Sequence, residues 1–263
     1  MSTFHVKDLS LFYGKHQVLS KVSFDISEGE IVGVLGVNGC GKTSLLKAIC
    51  NILPYEGTCR IDDIDLRTLS TKKLAKLCSY IPQRSGISID ISVLDTVLMG
   101  FYAHLTLLQH PTQAMKDKAL QMLQLVGLQG RENMNYLHLS EGQKQLCILA
   151  RTLVTQSELL LLDEPESALD FHHRYHMFHL IRQWNREHRT MALVTLHDPN
   201  LALNYCDRLL LLSNGQIIDM IQPPKDSLTS METKLQQLYQ NISLHECINK
   251  NGHKQIVMLG DVI

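Results

Sequence analysis

Gly36-Val37-Asn38-Gly39-Cys40-Gly41-Lys42-Thr43 follows a short apolar run, Ile31 to Leu35, and precedes a helix-forming stretch, Thr43 to Ile52. The spacing is G-x-x-x-x-G-K-[ST]. In that pattern glycines let backbone N–H groups turn inward around phosphates, and the positive end of the following helix faces them. Lys42 adds a mobile charge for the β- and γ-phosphates, and Thr43 a hydroxyl for Mg²⁺. Strand, glycine turn and helix together are the context a phosphate-binding loop needs.

Working outward, Phe4 to Phe12 is an apolar, partly β-branched stretch closed by Tyr13-Gly14. Val18 to Ile26 alternates, with Ser27-Glu28-Gly29-Glu30 as a turn. These read as paired antiparallel strands. From Val93 to Leu153 the spacing becomes helical, as in Ala114 to Val126. Buried-strand runs then return at Leu159 to Leu162, Met191 to Thr195 and Leu209 to Leu212, with a helix at Phe171 to His188 between them. Strands alternating with helices predict a parallel α/β core. The expected fold class is α/β: a P-loop NTPase (RecA-like) core with an antiparallel β subdomain and an inserted α-helical subdomain. The reading assigns 1–85 and 158–230 to the core, about 86–157 to the helical insertion and about 231–263 to a C-terminal extension. That extension is expected to hold a short helix and a final strand, Gln255 to Leu259.

Leu159-Leu160-Leu161-Leu162-Asp163-Glu164-Pro165 is a buried strand ending in two carboxylates. Asp163 suits a Mg²⁺ ligand, and Glu164 a base that orients and deprotonates the attacking water. These residues by themselves define a P-loop ATPase. Leu139-Ser140-Glu141-Gly142-Gln143 narrows the class, because it resembles the LSGGQ signature of ABC ATPases. Ser140 and Gln143 also stand at capping-box spacing, which predicts a helix from Ser140 to Leu153.

The resemblance extends over nearly the whole chain and implies further roles. Tyr13 matches the aromatic residue that stacks on adenine, and Ser44 completes the nucleotide-binding stretch from Gly36. Gln83, after Ile81-Pro82, matches the glutamine that reaches Mg²⁺ and the attacking water. Ser167-Ala168-Leu169-Asp170 matches the D-loop at the dimer interface, and His197 the switch histidine that contacts the γ-phosphate. In that family two ATPases pair head to tail, so Ser140, Glu141, Gly142 and Gln143 complete the other copy's site. The implied ligands are ATP and Mg²⁺, the latter on Thr43, Gln83 and Asp163. The implied partners are a second ATPase copy, two integral-membrane permease subunits and, indirectly, a substrate-binding protein, with the chain peripheral on the cytoplasmic side of the membrane. Three positions depart from the pattern: Cys40 replaces a small Ser or Ala, Glu141 the first signature glycine, and Glu166 a common threonine. A carboxylate at 141 would repel a triphosphate unless its side chain turns away.

Ser92 to Tyr102, Leu169 to His173, Leu196 to Ala202 and the ending Leu235 to Leu259 look like the ATPases of iron–siderophore, haem and cobalamin importers, although Phe101 stands where that group has Arg. An exporter ATPase and a non-transport ABC ATPase are the competing readings. No tandem second ATPase half and no coiled-coil insertion accompanies the motifs.

Composition limits the rest. Net charge is −1, so no bulk basicity points to nucleic acid. Seven cysteines, an odd number without a C-x-x-C pair, read as reduced thiols rather than a disulfide or zinc framework. The apolar runs fall far short of the about 20 residues that span a bilayer. His172, His176 and His179 share a helical face, but no carboxylate or cysteine completes a metal set.

Overall fold

The computed structural model describes residues 2–83, 86–106, 108–167 and 169–260. In chain order its elements are β1 (Thr3–Tyr13), β2 (His16–Ser27), β3 (Ile31–Leu35), α1 (Lys42–Ile49), β4 (Glu56–Ile61), β5 (Ile64–Asp65), α2 (Thr71–Leu77), β6 (Cys78–Ile81), α3 (Val93–Leu98), α4 (Gln113–Leu125), α5 (Glu141–Leu153), β7 (Leu159–Asp163), α6 (Phe171–His188), β8 (Met191–Leu196), α7 (Pro199–Tyr205), β9 (Arg208–Ser213), β10 (Gln216–Ile221), α8 (Leu228–Leu235), β11 (Ile242–Ile248) and β12 (Lys254–Gly260). They form two compact units, one of residues 1–67 with 191–263 and one of residues 68–190.

In the first unit β2, β1, β4 and β5 make an antiparallel sheet in that order. A second sheet runs β10-β9-β3-β8, with β3 parallel to both neighbours and β10 antiparallel at its edge. All five residues of β3 are buried, which explains an apolar run without alternation: a central parallel strand shows neither face to water. Its entry is pinned by Asp207, whose Oδ2 accepts from the Ile31 N–H at 2.9 Å, and by Arg208, which donates to Glu30 Oε2 at 2.9 Å. The β11–β12 hairpin docks on α7 through two asparagines. Asn204 donates to the Ile256 carbonyl at 2.8 Å and accepts from the Ile256 N–H at 3.0 Å; Asn200 accepts from the Met258 N–H at 2.7 Å. These amides imitate a neighbouring strand and satisfy the edge of β12.

In the second unit β6 and β7 pair in parallel, Cys78 against Leu159 through Ile81 against Leu162. Helices α3, α4 and α5 pack on one another, burying Val97, Leu123, Cys147 and Leu149. Ser92, Thr112 and Ser140 each cap a helix by accepting from the backbone three residues on.

The long periodic segments stand where the sequence predicts them, α6 to the residue. The sequence reading does not include β4 to β6, β10, β11 or the short α2, and it leaves α3, inside the helical stretch from Val93, and α7, between the later strands, without bounds. These are brief or half-exposed, and pairing partners rather than local pattern make them strands. The compact unit of 68–190 also spans more than the 86–157 subdivision, because β6 and β7, which flank the helical segment, pair with each other.

Candidate functional site

The first unit carries the phosphate loop. Gly36 follows β3 where no side chain fits: a Cβ there would lie 2.3 Å from the Leu212 carbonyl oxygen and 2.6 Å from Cys40 Sγ. Cys40 is buried, and its thiol packs beside Gly36. Gly39 and Gly41 take positive φ, +81° and +110°, at the turn into α1. Lys42 is buried and its Nζ donates to the Gly36 carbonyl at 2.7 Å, so the ammonium lies within the loop's own arc. Thr43 and Ser44 occupy the first turn of α1. Tyr13, half-exposed at the end of β1, sits with its hydroxyl 3.4 Å from Ser44 Oγ, so the ring and the helix start lie side by side. His197 is exposed and directly follows β8; Asp198 then caps α7 by accepting from the Asn200 and Leu201 N–H groups.

The second unit carries the acidic pair. Asp163 closes β7, is 2% exposed, and accepts from the Tyr80 hydroxyl at 3.1 Å. Glu164 is also buried, and its backbone is left-handed, φ 48°, an uncommon state for a residue with a side chain. Its Oε2 accepts from Gln83 Nε2 at 2.9 Å. Gln83 is held in turn through its main chain, because Gln145 on α5 donates from Nε2 to the Gln83 carbonyl at 3.0 Å.

The signature opens α5 with a complete capping box. The Gln143 N–H donates to Ser140 Oγ at 3.3 Å, and the Ser140 N–H donates to Gln143 Oε1 at 3.1 Å. Glu141 pairs with Lys144 at 2.8 Å, one helical turn on, and its side chain is largely exposed. The His173 ring lies beside Gly142, 3.4 Å from where a Cβ would be, an ordinary contact distance. In the D-loop segment Ser167 is exposed, Leu169 is buried and Asp170 caps α6; Ala168 lies outside the described residues. The His173 N–H and ring bonded to Asp170 hold that carboxyl below the usual carboxylate range. The rings of His172 and His176 stack 6.4 Å apart, and among the described residues no group of three or more His, Cys, Asp or Glu side chains is disposed to hold a metal ion.

Sequence reasoning missed Tyr80, Gln145 and Lys144. Only Lys144 had a signal, its i,i+3 spacing from Glu141. The contacts of Tyr80 and Gln145 join residues 83 and 62 positions apart, which no local pattern reveals.

A phosphate loop, a buried acidic pair with its glutamine and a capped signature helix define the ATP-binding cassette class of P-loop ATPases. The ABC transporter family model matches residues 19–167, more than half of the chain, and the chain belongs to that family. It is 35% identical over 221 residues to a Helicobacter pylori protein called an iron chelatin transport ATP-binding protein, covering 83% of this chain and 87% of that one. It is 36% identical over 224 residues to the hemin import ATP-binding protein HmuV of Bordetella avium, covering 82% and 85%. Among solved structures it is similar to a chain described as from a metal-chelate type ABC transporter, inward-facing, with TM-score 0.82, 25% identity and 98% of each chain covered. It is similar also to a dimeric bacterial ABC transporter cassette, with TM-score 0.75, 25% identity, and 84% of this chain and 98% of that one covered. The protein is thus an ATP-binding and ATP-hydrolysing subunit of an ABC transporter. Such subunits dimerise and work with membrane permeases; among the described residues no helix is long and apolar enough to cross a membrane.

Proposed function

We propose that this chain is the motor subunit of an importer for a metal chelate of the iron–siderophore, haem or cobalamin type. It acts as a homodimer on the cytoplasmic face of the membrane, bound to two permease subunits that receive cargo from a substrate-binding protein. The names of its relatives and the stretches 92–102, 169–173 and 196–202 support the cargo class.

The observation that carries the catalytic reading is Glu164: a buried carboxylate on left-handed backbone, pinned by Gln83 at 2.9 Å. Strain of this kind persists where surrounding structure over-determines it, commonly at sites of chemistry. In this reading Tyr13 stacks on adenine, and the backbone of Gly36, Val37, Asn38, Gly39, Cys40 and Gly41 cradles the phosphates. Lys42 neutralises their charge, with Thr43 and Ser44 beside it. Glu164 takes the proton of the attacking water while Gln83 holds that water in line, and His197 contacts the γ-phosphate. Thr43, Gln83 and Asp163 would hold Mg²⁺; all three offer oxygen, which a hard cation prefers. Bound there, the ion would offset the charge developing on the phosphate oxygens. Ser140, Glu141, Gly142 and Gln143 would face the γ-phosphate of a second copy, with Ser167, Leu169 and Asp170 at the same interface and Ala168 among them.

A groove of about 600 Å³ in the second unit, lined by Thr71, Lys72, Tyr80, Met99, Tyr102 and Arg151, is the proposed seat of a permease helix. The resemblance to the ABC family also implies that residues between Arg84 and Tyr102 line such a seat; Arg84 lies outside the described residues, and α2 and α5 supply lining which that span omits.

The test is Glu164→Gln. Hydrolysis should fall by about 10²–10⁴-fold while ATP binding persists, and sedimentation should show dimer with ATP and monomer with ADP. Steady-state activity near wild type would remove Glu164 from its role. In cells expressing the protein, the same substitution should abolish uptake of ferric siderophore, haem or cobalamin; undiminished uptake of all three would overturn the cargo.

A further inference from the structure

Gln145 lies in the second turn of α5, two residues beyond the signature, and is 5% exposed. Its side-chain amide is bound at one end only. Nε2 donates to the Gln83 carbonyl at 3.0 Å, while Oε1 is buried and, among the described residues, meets no donor. The orientation of the amide is set by chemistry, because a carbonyl can only accept. A methionine or leucine would fill the same space without leaving an oxygen unsatisfied, so packing alone does not account for a glutamine here. What the amide adds is a link. Gln83 is fastened at two points, its carbonyl to α5 through Gln145 and its side chain to Glu164 Oε2 at 2.9 Å. The helix that holds the carbonyl is the one whose first residues are the signature.

We propose that Gln145 is a positioning residue for hydrolysis. It ties the main chain of Gln83 to the signature helix, so that seating Ser140 and Gly142 on the partner's nucleotide sets Gln83 against Glu164 in its own subunit. The two sites of the dimer thereby report to each other through one hydrogen bond per subunit. Gln145 acts only through Gln83. The proposal rests on the shared-site reading above.

The experiment compares Gln145→Met and Gln145→Leu with wild type in the full chain. Both should melt no lower than wild type and keep the KM for ATP within about twofold, while kcat falls about tenfold, the pattern of a lost transition-state interaction rather than lost binding. In a Gln83→Ala background the same substitutions should cost nothing further, because the side chain they position is gone. Hydrogen exchange in the Glu164→Gln background supplies the direct readout. ATP should slow exchange at residues 81–83 and at 140–146, and Gln145→Met should abolish the first effect while keeping the second. Unchanged kcat, a kcat loss matched by a fall in melting temperature, an undiminished cost in Gln83→Ala, or protection retained at 81–83 would each overturn the role of Gln145. Failure of the shared-site reading looks different: Glu164→Gln itself would stay monomeric with ATP and show no protection at 140–146.

Discussion

At the scale of the residue, the phosphate loop is set by what has been left out. Gly36 stands against the Leu212 carbonyl oxygen, 2.3 Å from any Cβ placed there, and that oxygen belongs to backbone that cannot rotate aside. Gly36→Ala must therefore displace the loop, Cys40 or β9. The donors for the phosphates would move with it, and ATP affinity should drop by about 10- to 100-fold, or roughly 1.4–2.8 kcal/mol, as titration with circular dichroism as the fold control would show. Unchanged affinity would mean the loop absorbs the methyl group elsewhere. The need for glycine at 36 was legible in the motif; its cause, a carbonyl 176 positions away in the chain, was not, since only folding brings β9 alongside β3.

At the scale of the element, α5 combines a strong local signal with a compensation that local reasoning could only state as a condition. Its capping box was readable from Ser140 and Gln143, and the cap is worth about 1 kcal/mol. Glu141, an acidic residue in the first turn, is favoured by the helix dipole but disfavoured beside a triphosphate. Lys144 pairs with that carboxylate at 2.8 Å, holding it along the helix. Exposed pairs of this kind contribute about 0–1 kcal/mol, so Lys144→Ala should leave the melting temperature almost unmoved. Released, the Glu141 carboxylate can turn toward the second copy's nucleotide. In the Glu164→Gln background Lys144→Ala should therefore weaken the ATP-driven dimer, measured by sedimentation at low salt, and Glu141→Gly should restore it. Equal dimer fractions with and without Lys144 would show that the pair plays no part in docking.

At the scale of the whole molecule, the C-terminal extension is joined to the part of the fold that follows His197. Helix α7 begins two residues after that histidine and presents Asn200 and Asn204 to β12. Each amide–backbone hydrogen bond contributes about 1 kcal/mol net, and more is lost when a buried partner is left unsatisfied. Asn204→Leu should therefore loosen the hairpin without unfolding the core. Hydrogen exchange should accelerate across 242–260 and stay unchanged across 31–49. Uniform acceleration over both would mean that the hairpin is part of the cooperative core.

The sequence by itself determined the chemistry and the class: the phosphate loop, the acidic pair, the signature and the helices long enough for their periodicity to show. These are local because a turn, a cap and a buried strand are each decided within a few residues of chain. Tertiary structure alone decided how those groups are held. Tyr80 on Asp163, Gln145 on Gln83, Leu212 against Gly36 and Asn204 on β12 each join positions at least 52 residues apart. Such contacts depend on which strands pair and which helices pack, and a hydrogen bond across that distance leaves no period in the chain that forms it.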